Sequence, residues 1–296
     1  MPTHSSGMSR REFSALSLAA AGVAAASAKP AAAAKPAAAA DDVVDSDVTI
    51  TTPSGVCDAA FIHPKGKGPF PAVILFTDIF GLRPTMRAMA ARLSASDGYA
   101  VLVPNPYYRT SKPPGLPMDL DFNSAADRDK IAKVRAPLTD EAVTSDTVAY
   151  VEYLDSQPVV DVKAKMGVFG YCMGGPFTMQ AAAANPERIG AGASFHGGGL
   201  VTDKPDSPHL KVPKMKARFY FAIAASDDQR QPDAKLKLKE AFAAAKLPAK
   251  IEVYDGCLHG FCVKDMPLQD GKPIYDEAAA ELAWGDLRAL FEAAHV

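Results

Sequence analysis

Short apolar runs alternate with longer stretches of helical periodicity along residues 42–296 of this chain. Residues 71–76 form a continuous run, Pro-Ala-Val-Ile-Leu-Phe, which is typical of a parallel strand buried on both faces. The predicted strands are residues 48–52, 57–63, 71–76, 99–103, 165–169, 190–195, 217–225 and 250–254, and the predicted helices are residues 84–96, 139–154, 177–184, a segment from near 232, and 274–294. This alternation predicts one α/β domain, with a mostly parallel sheet and helices on both faces.

Residues 107–137 interrupt the alternation, because they are rich in proline and charged residues. A long segment of this kind usually lies over the ends of the strands, where function is concentrated. We therefore expect it to form a cap or a pocket wall.

The first 28 residues have the pattern of a twin-arginine signal peptide. Arg10 and Arg11 precede a mildly apolar run over residues 15–28, and residues 26–28 form a small-residue cleavage site. The run is too short and too rich in alanine for a membrane span. We predict export by the Tat machinery to the periplasm or beyond it, with Met1 and Met8 both open as the start. A disordered Ala-rich tail is the alternative.

Residues 29–41 contain a repeated Lys-Pro-Ala-Ala-Ala-Ala unit, which cannot bury a core. Proline- and alanine-rich tracts of this type are extended linkers. The sequence therefore divides into a signal peptide at 1–28, a linker at 29–41 and a folded domain at 42–296.

Composition excludes several classes of function. The formal net charge is −2, so no basic surface for nucleic acid is expected. The four cysteines and six histidines match no zinc-ligand pattern, and no phosphate-binding loop is present, so we predict neither a metal nor a cofactor. Cys57, Cys257 and Cys262 are expected to be small buried hydrophobic residues, although a Cys257–Cys262 bridge is open.

Cys172 lies in the most informative motif of the chain, Gly-Tyr-Cys-Met-Gly-Gly at residues 170–175. This pattern fits a strand–turn–helix nucleophile elbow, with cysteine in place of the usual serine. The helix N-terminus that follows favours a thiolate. We predict that Cys172 is the nucleophile of an acyl-transfer reaction, the alternative being an inert buried cysteine.

An elbow nucleophile needs an acid and then a histidine further along the chain. His259 follows the predicted strand 250–254 in a glycine-containing loop and is the candidate base, with His196 as its rival. Asp227 and Asp228 follow the strand 217–225, where a carboxylate can orient the imidazole or cap the next helix. The residues alone leave open which aspartate does which.

With these residues in place, the chain resembles the dienelactone hydrolase family of α/β-hydrolases. Four segments carry the resemblance: residues 76–81 (Phe-Thr-Asp-Ile-Phe-Gly), 170–175, 221–228 and 258–261 (Leu-His-Gly-Phe). The resemblance implies an α/β-hydrolase fold and hydrolysis of a small lactone or enol ester by a Cys–His–Asp triad without metal or cofactor. It favours Asp227 as the acid.

The resemblance also implies roles for the segment after the strand 71–76. The backbone N–H groups of Ile79 and Met173 are expected to form the oxyanion hole. Asp78 stands where the family has an acidic residue, usually one methylene longer, that contacts the resting thiol and helps to activate it. The alternative for Asp78 is a cap on a turn.

Substrate recognition departs from the family pattern. Family members bind the substrate carboxylate with arginines, one of them shortly after the histidine, but here Lys264 lies in that region. Tyr107 resembles a pocket-lining tyrosine, and Arg128 or Arg135 is the candidate for the other arginine. Three functions stay open: a lactone or enol-ester hydrolase, a general carboxylesterase, and a non-catalytic periplasmic binding or thiol-redox protein. We expect a monomer.

Overall fold

A computed structural model describes residues 42–269 and 271–296. The predicted signal peptide and linker lie outside the described residues. The strands are β1 Val43–Thr52, β2 Gly55–Pro64, β3 Ala72–Phe76, β4 Ala100–Pro104, β5 Met166–Tyr171, β6 Ile189–Phe195, β7 Arg218–Ala224 and β8 Ala249–Tyr254. The helices are α1 Pro84–Asp97, α2 Ala125–Arg135, α3 Asp140–Asp155, α4 Gly174–Ala184, α5 Ala225–Arg230, α6 Ala234–Ala244 and α7 Glu277–Ala294, and a 3₁₀ helix spans Pro208–Lys214.

The strands form one eight-stranded sheet in the order β1-β2-β4-β3-β5-β6-β7-β8. All neighbours from β4 to β8 pair in parallel, whereas β1–β2 and β2–β4 pair antiparallel. A short turn joins β1 to β2, and such a turn permits only antiparallel pairing. The expected mostly parallel sheet is confirmed.

The sheet has an apolar core on each face, because successive side chains of a strand point to opposite faces. In β3, Val73 and Leu75 pack beneath α1 and α7, whereas Ile74 and Phe76 pack beneath α3, α4 and α6. A strand buried on both faces has no polar positions, which explains the continuous apolar run at residues 71–76.

The elements differ from the sequence expectation at a few places. Residues 107–137 contain a helix, α2, which starts at the side-chain cap of Ser124. The aspartates after β7 lie on the short helix α5. The final helix starts at Glu277 rather than 274, because the Asp276 side chain caps it by accepting the Ala279 N–H. Capping bonds and short helices leave little trace in hydrophobic periodicity.

The carboxyl ends of the parallel strands lie on one side of the sheet, and the loops that follow β3, β5, β7 and β8 meet there. Open α/β sheets present their sites at the carboxyl ends of the strands. In the described part of the chain, no helix is both long enough and apolar enough to cross a membrane.

Candidate active site

Cys172 occupies a sharp turn between β5 and α4. Its φ of 51° lies in the left-handed region, which a residue with a side chain adopts at a cost. The glycines around it allow the turn to close. A Cβ on Gly170 would collide with the carbonyl of Gly174, and a Cβ on Gly174 would collide with that of Phe76. The local sequence therefore presents a partly exposed thiol at the helix N-terminus.

His259 lies on the loop after β8, and a hydrogen bond ties this loop to α5. The backbone N–H of His259 donates to Oγ of Ser226 at 2.9 Å. Its ring Nδ1 lies 2.8 and 3.0 Å from the two carboxylate oxygens of Asp227. This places the imidazole between α5 and the nucleophile elbow.

The two adjacent aspartates have different partners. Asp227 contacts His259 and also accepts a hydrogen bond from Arg230. Asp228 instead pairs with Nζ of Lys235 at 2.5 Å. Successive side chains on a helix diverge by about 100°, so one carboxylate reaches the imidazole while its neighbour faces α6.

The surroundings of His259 favour its protonated form. Burial by itself lowers the pKa of the imidazole, but hydrogen bonds and charge interactions with Asp227 and Cys172 outweigh burial and raise its pKa to about 10. An imidazolium carries a proton on each ring nitrogen, so its Nδ1–H donates to the Asp227 carboxylate.

Two backbone N–H groups beside Cys172 have no acceptor within the described residues: those of Ile79 and Met173. In the loop that carries Ile79, the peptide between Ile79 and Phe80 is hydrogen-bonded through both its carbonyl and its N–H. The N–H of Phe80 donates to Asp78 at 3.0 Å, and the carbonyl of Ile79 accepts from the Tyr107 hydroxyl at 2.7 Å. These contacts leave the Ile79 N–H free at the wall of the cleft.

Asp78 lies at the cleft but its carboxylate is engaged elsewhere. It is 1 % exposed and accepts hydrogen bonds from both terminal nitrogens of Arg83, at 2.7 and 2.8 Å. Burial raises the pKa of Asp78, and the guanidinium opposes that rise. With the Phe80 N–H as a third donor, both carboxylate oxygens accept hydrogen bonds, and no bond joins Asp78 to the thiol in the described structure.

The structure does not bring the candidate substrate-binding residues to the cleft lining. Tyr107 is buried behind the loop, where its hydroxyl also lies 3.5 Å from the sulfur of Met173. Arg128 is exposed and donates to the carbonyls of Phe122 and Asn123. Neither Arg128 nor Arg135, both in the described part of the chain, lines the cleft.

His196, the rival base, is next to the site but has a different environment. It is 1 % exposed, its φ is 40°, and neither ring nitrogen has a partner among the described residues. Its ring packs edge-on against His259 with the centroids 5.1 Å apart. Burial lowers the pKa of His196 well below its usual value, and His259 adds to this effect. The residue is a neutral neighbour of the candidate base.

Cys172 and His259 open into a cleft of about 760 Å³. Apolar side chains form much of the cleft wall, among them Ile79, Phe80, Phe122, Leu200, Met266 and Ile274. Phe122 comes from the 107–137 segment, which therefore supplies part of the wall, as expected. The cations on the lining are Arg230 and Lys235, which sequence reasoning missed; their position three and eight residues beyond Asp227 was the available signal.

No group of three or more His, Cys, Asp or Glu side chains within residues 42–269 and 271–296 is arranged to hold a metal ion. Cys57, Cys257 and Cys262 are buried free thiols, so the structure contains no Cys257–Cys262 bridge. Cys172 is the partly exposed one of the four.

Comparison with known proteins shows the family of this chain. The model of the dienelactone hydrolase family matches residues 57–295. A Methylorubrum extorquens protein, provisionally named carboxymethylenebutenolidase, is 30 % identical over 84 % of this chain and 81 % of its own length. The carboxymethylenebutenolidase of Rhodococcus opacus is 28 % identical over 70 % of this chain and 77 % of its own.

Solved structures show the same fold. A provisionally named dienelactone hydrolase from Klebsiella pneumoniae superposes with a TM-score of 0.71 and 24 % identity, covering 84 % of this chain and 98 % of the other. The family match covers most of the folded domain. This chain therefore belongs to the dienelactone hydrolase family, has the α/β-hydrolase fold and is a carboxylic ester hydrolase.

Proposed function

We propose that this chain hydrolyses lactones, enol esters or small activated esters through a triad of Cys172, His259 and Asp227. The observation that carries the proposal is the position of the His259 imidazole, which is bonded to Asp227 through Nδ1 and lines the same cleft as Cys172. A nucleophile, a base within reach and a group that orients the base are the parts that covalent acyl transfer needs.

The reaction follows from these placements. The Cys172 sulfur attacks the ester carbonyl, and the new oxyanion accepts hydrogen bonds from the N–H groups of Ile79 and Met173. The tetrahedral intermediate collapses, the carbon–oxygen bond breaks, and His259 gives its proton to the leaving oxygen. A water deprotonated by His259 then attacks the thioester, which releases the acid and restores the thiol.

The substrate class follows from the leaving group and the walls of the cleft. An enolate or an activated alkoxide leaves easily, so these esters are preferred over amides. The apolar side chains of the cleft wall favour a compact hydrocarbon-rich acyl or ring portion. An enol lactone satisfies both conditions.

A general carboxylesterase activity is the second candidate. Neither Arg128 nor Arg135 is on the cleft lining, and Arg230 is bonded to Asp227. Loss of a free bidentate guanidinium weakens recognition of a planar carboxylate. Comparing kcat/KM for a carboxylated dienelactone with that for a neutral aryl ester separates the two candidates: a strong preference for the charged lactone would exclude the general esterase.

The triad is tested by titrating the protein with iodoacetamide while following hydrolysis of p-nitrophenyl acetate. Activity is expected to fall in proportion to labelling of Cys172, and Cys172→Ala and His259→Ala are expected to be inactive. Cys262→Ala is the matched control, because this buried thiol should be neither labelled nor required. Undiminished turnover in Cys172→Ala would refute the mechanism. An inactive parent protein, tested with several esters and lactones, would support a binding or thiol-redox role.

We also propose export to the periplasm by the Tat machinery, which rests on Arg10 and Arg11 in the sequence. Fractionation of cells that produce the full chain is expected to recover the shortened protein in the periplasm. Lysine at both positions should retain the full-length protein in the cytoplasm. Equal recovery of the parent and the double-lysine variant from the periplasm would exclude a Tat signal.

A further inference from the structure

Two loops of the site, which lie far apart in the sequence, share one buried arginine. Arg83 follows the loop that carries Ile79, and it bonds Asp78 of that loop through both terminal nitrogens. The same guanidinium donates to Asp265 through Nε and a terminal nitrogen, each at 2.8 Å. Asp265 belongs to the segment that continues from His259 and is 182 residues away from Arg83.

The geometry of this network fixes the two carboxylates relative to one another. Arg83 is 5 % exposed, so its contact with the buried Asp78 is shielded from water and from salt. The guanidinium is planar and rigid, and two bidentate carboxylates on its edges fix both their distance and their relative angle. Thr85 adds a hydrogen bond to Asp265 at 2.6 Å, which holds the second carboxylate in place.

The first carboxylate is connected directly to the oxyanion loop. Asp78 accepts the N–H of Phe80, and this bond sets the orientation of the peptide that follows Ile79. Moving Asp78 relative to the histidine loop therefore moves the Ile79 N–H relative to Cys172 and His259. A displacement of about 1 Å in a reacting geometry can cost about a hundredfold in rate.

We propose that Arg83 and Asp265 form a clamp between the oxyanion loop and the histidine loop, and that this clamp sets the position of the Ile79 N–H. Both are positioning residues, since neither lies against the thiol. The inference rests on the proposed function, because it assumes that the Ile79 N–H binds the oxyanion.

Asp265→Asn is the informative variant. Its amide keeps one oxygen acceptor but places an NH2 donor against the guanidinium where the second oxygen was. The bidentate contact therefore opens, while the buried Asp78–Arg83 pair remains. We expect the rate of Cys172 acylation by p-nitrophenyl acetate to fall about 10- to 100-fold. The rate of Cys172 alkylation by iodoacetamide should stay within about twofold of the parent rate at each pH, because displacement at a saturated carbon forms no oxyanion. A merely structural role would lower both rates together.

Asp45→Asn is the matched control. Asp45 lies on β1 and makes the same bidentate contact with Arg87 of α1, the helix that Arg83 precedes. Its side-chain exposure of 37 % is close to the 33 % of Asp265. This variant should acylate at the parent rate. Thr85→Val is a milder second variant and should reduce acylation in the same direction by a smaller factor.

The outcomes separate the clamp from the proposed function. Acylation of Asp265→Asn and Thr85→Val at the parent rate would overturn the clamp and leave the triad intact. A parallel loss of acylation and alkylation, in proportion to the loss of folded protein by circular dichroism, would also overturn it. Undiminished turnover in Cys172→Ala would refute the proposed function instead.

Discussion

At the scale of single residues, the two adjacent aspartates after β7 are the sharpest test of the site. Asp227 bonds His259 and raises the pKa of the imidazole, whereas Asp228 bonds Lys235. The residues alone place both carboxylates at the end of a strand and do not distinguish them, whereas the family resemblance favours Asp227. The side-chain directions on α5 make the distinction.

Asp227→Asn should therefore lower the pKa of His259 from about 10 in the parent, because a neutral amide no longer stabilises the imidazolium. We expect kcat to fall about 10²- to 10⁴-fold, as when a triad acid loses its charge. An NMR titration of the His259 ring and steady-state kinetics measure the two effects. Asp228→Asn is the matched control and should change neither by much; the reverse order of effects would assign the acid to Asp228.

His196 predicts a dependence of stability on pH. Its pKa is depressed in the folded protein, so below about pH 6.5, the ordinary value for histidine, the unfolded chain binds a proton that the folded chain does not. Stability is therefore retained above that pH and is lost as the pH falls through it. The loss from this residue is at most about 1.4 kcal/mol for each pH unit.

The His196→Phe variant should show a weaker fall in the free energy of unfolding between pH 7 and pH 5 than the parent. Urea unfolding at several pH values measures this difference, since the other titrating groups are common to both proteins. Equal slopes in the two proteins would mean that His196 is protonated in the folded state.

At the scale of elements, hydrophobic periodicity predicted nearly every long element. The eight strands and the helices α1, α3, α4, α6 and α7 follow from it, because burial of a face depends on local spacing. The helices α2 and α5 were missed. They are short or mostly exposed, and a capping side chain or a tertiary contact defines them rather than an apolar stripe.

Two glycines allow the strain at the elbow to be measured. Gly170→Ala places a Cβ against the carbonyl of Gly174, so we expect a loss of more than about 2 kcal/mol in stability and little folded protein. Gly285→Ala, in α7, meets no atom within 4 Å and should stabilise the protein by about 0.5–1 kcal/mol. Thermal unfolding of both variants tests the contrast. A stable and active Gly170→Ala would show that the turn is not closed as described.

At the scale of the whole molecule, β1 and β8 form the two edges of the sheet. Each edge has charged side chains: Asp45 and Asp47 on β1, and Lys250 and Glu252 on β8. Charges along an edge oppose pairing with the edge of another molecule.

We therefore expect the protein to be a monomer. Light scattering after size-exclusion chromatography should give the mass of one chain at micromolar concentration. A Lys250→Val/Glu252→Val variant removes the charges from β8 and should self-associate more readily. A stable dimer of the parent protein would mean that another surface mediates assembly.

The sequence by itself determined the α/β class, the order of the long elements, and the candidate nucleophile and base. These depend on short segments, such as the glycines around Cys172, whose chemistry is evident from neighbouring residues. Tertiary structure alone decided that Asp228 bonds Lys235, that Arg83 joins Asp78 to Asp265, and that the arginines of residues 107–137 are off the cleft lining. Those features are contacts between side chains that are separated along the chain. Their geometry is fixed only when the strands align and the loops meet at the carboxyl ends of the strands.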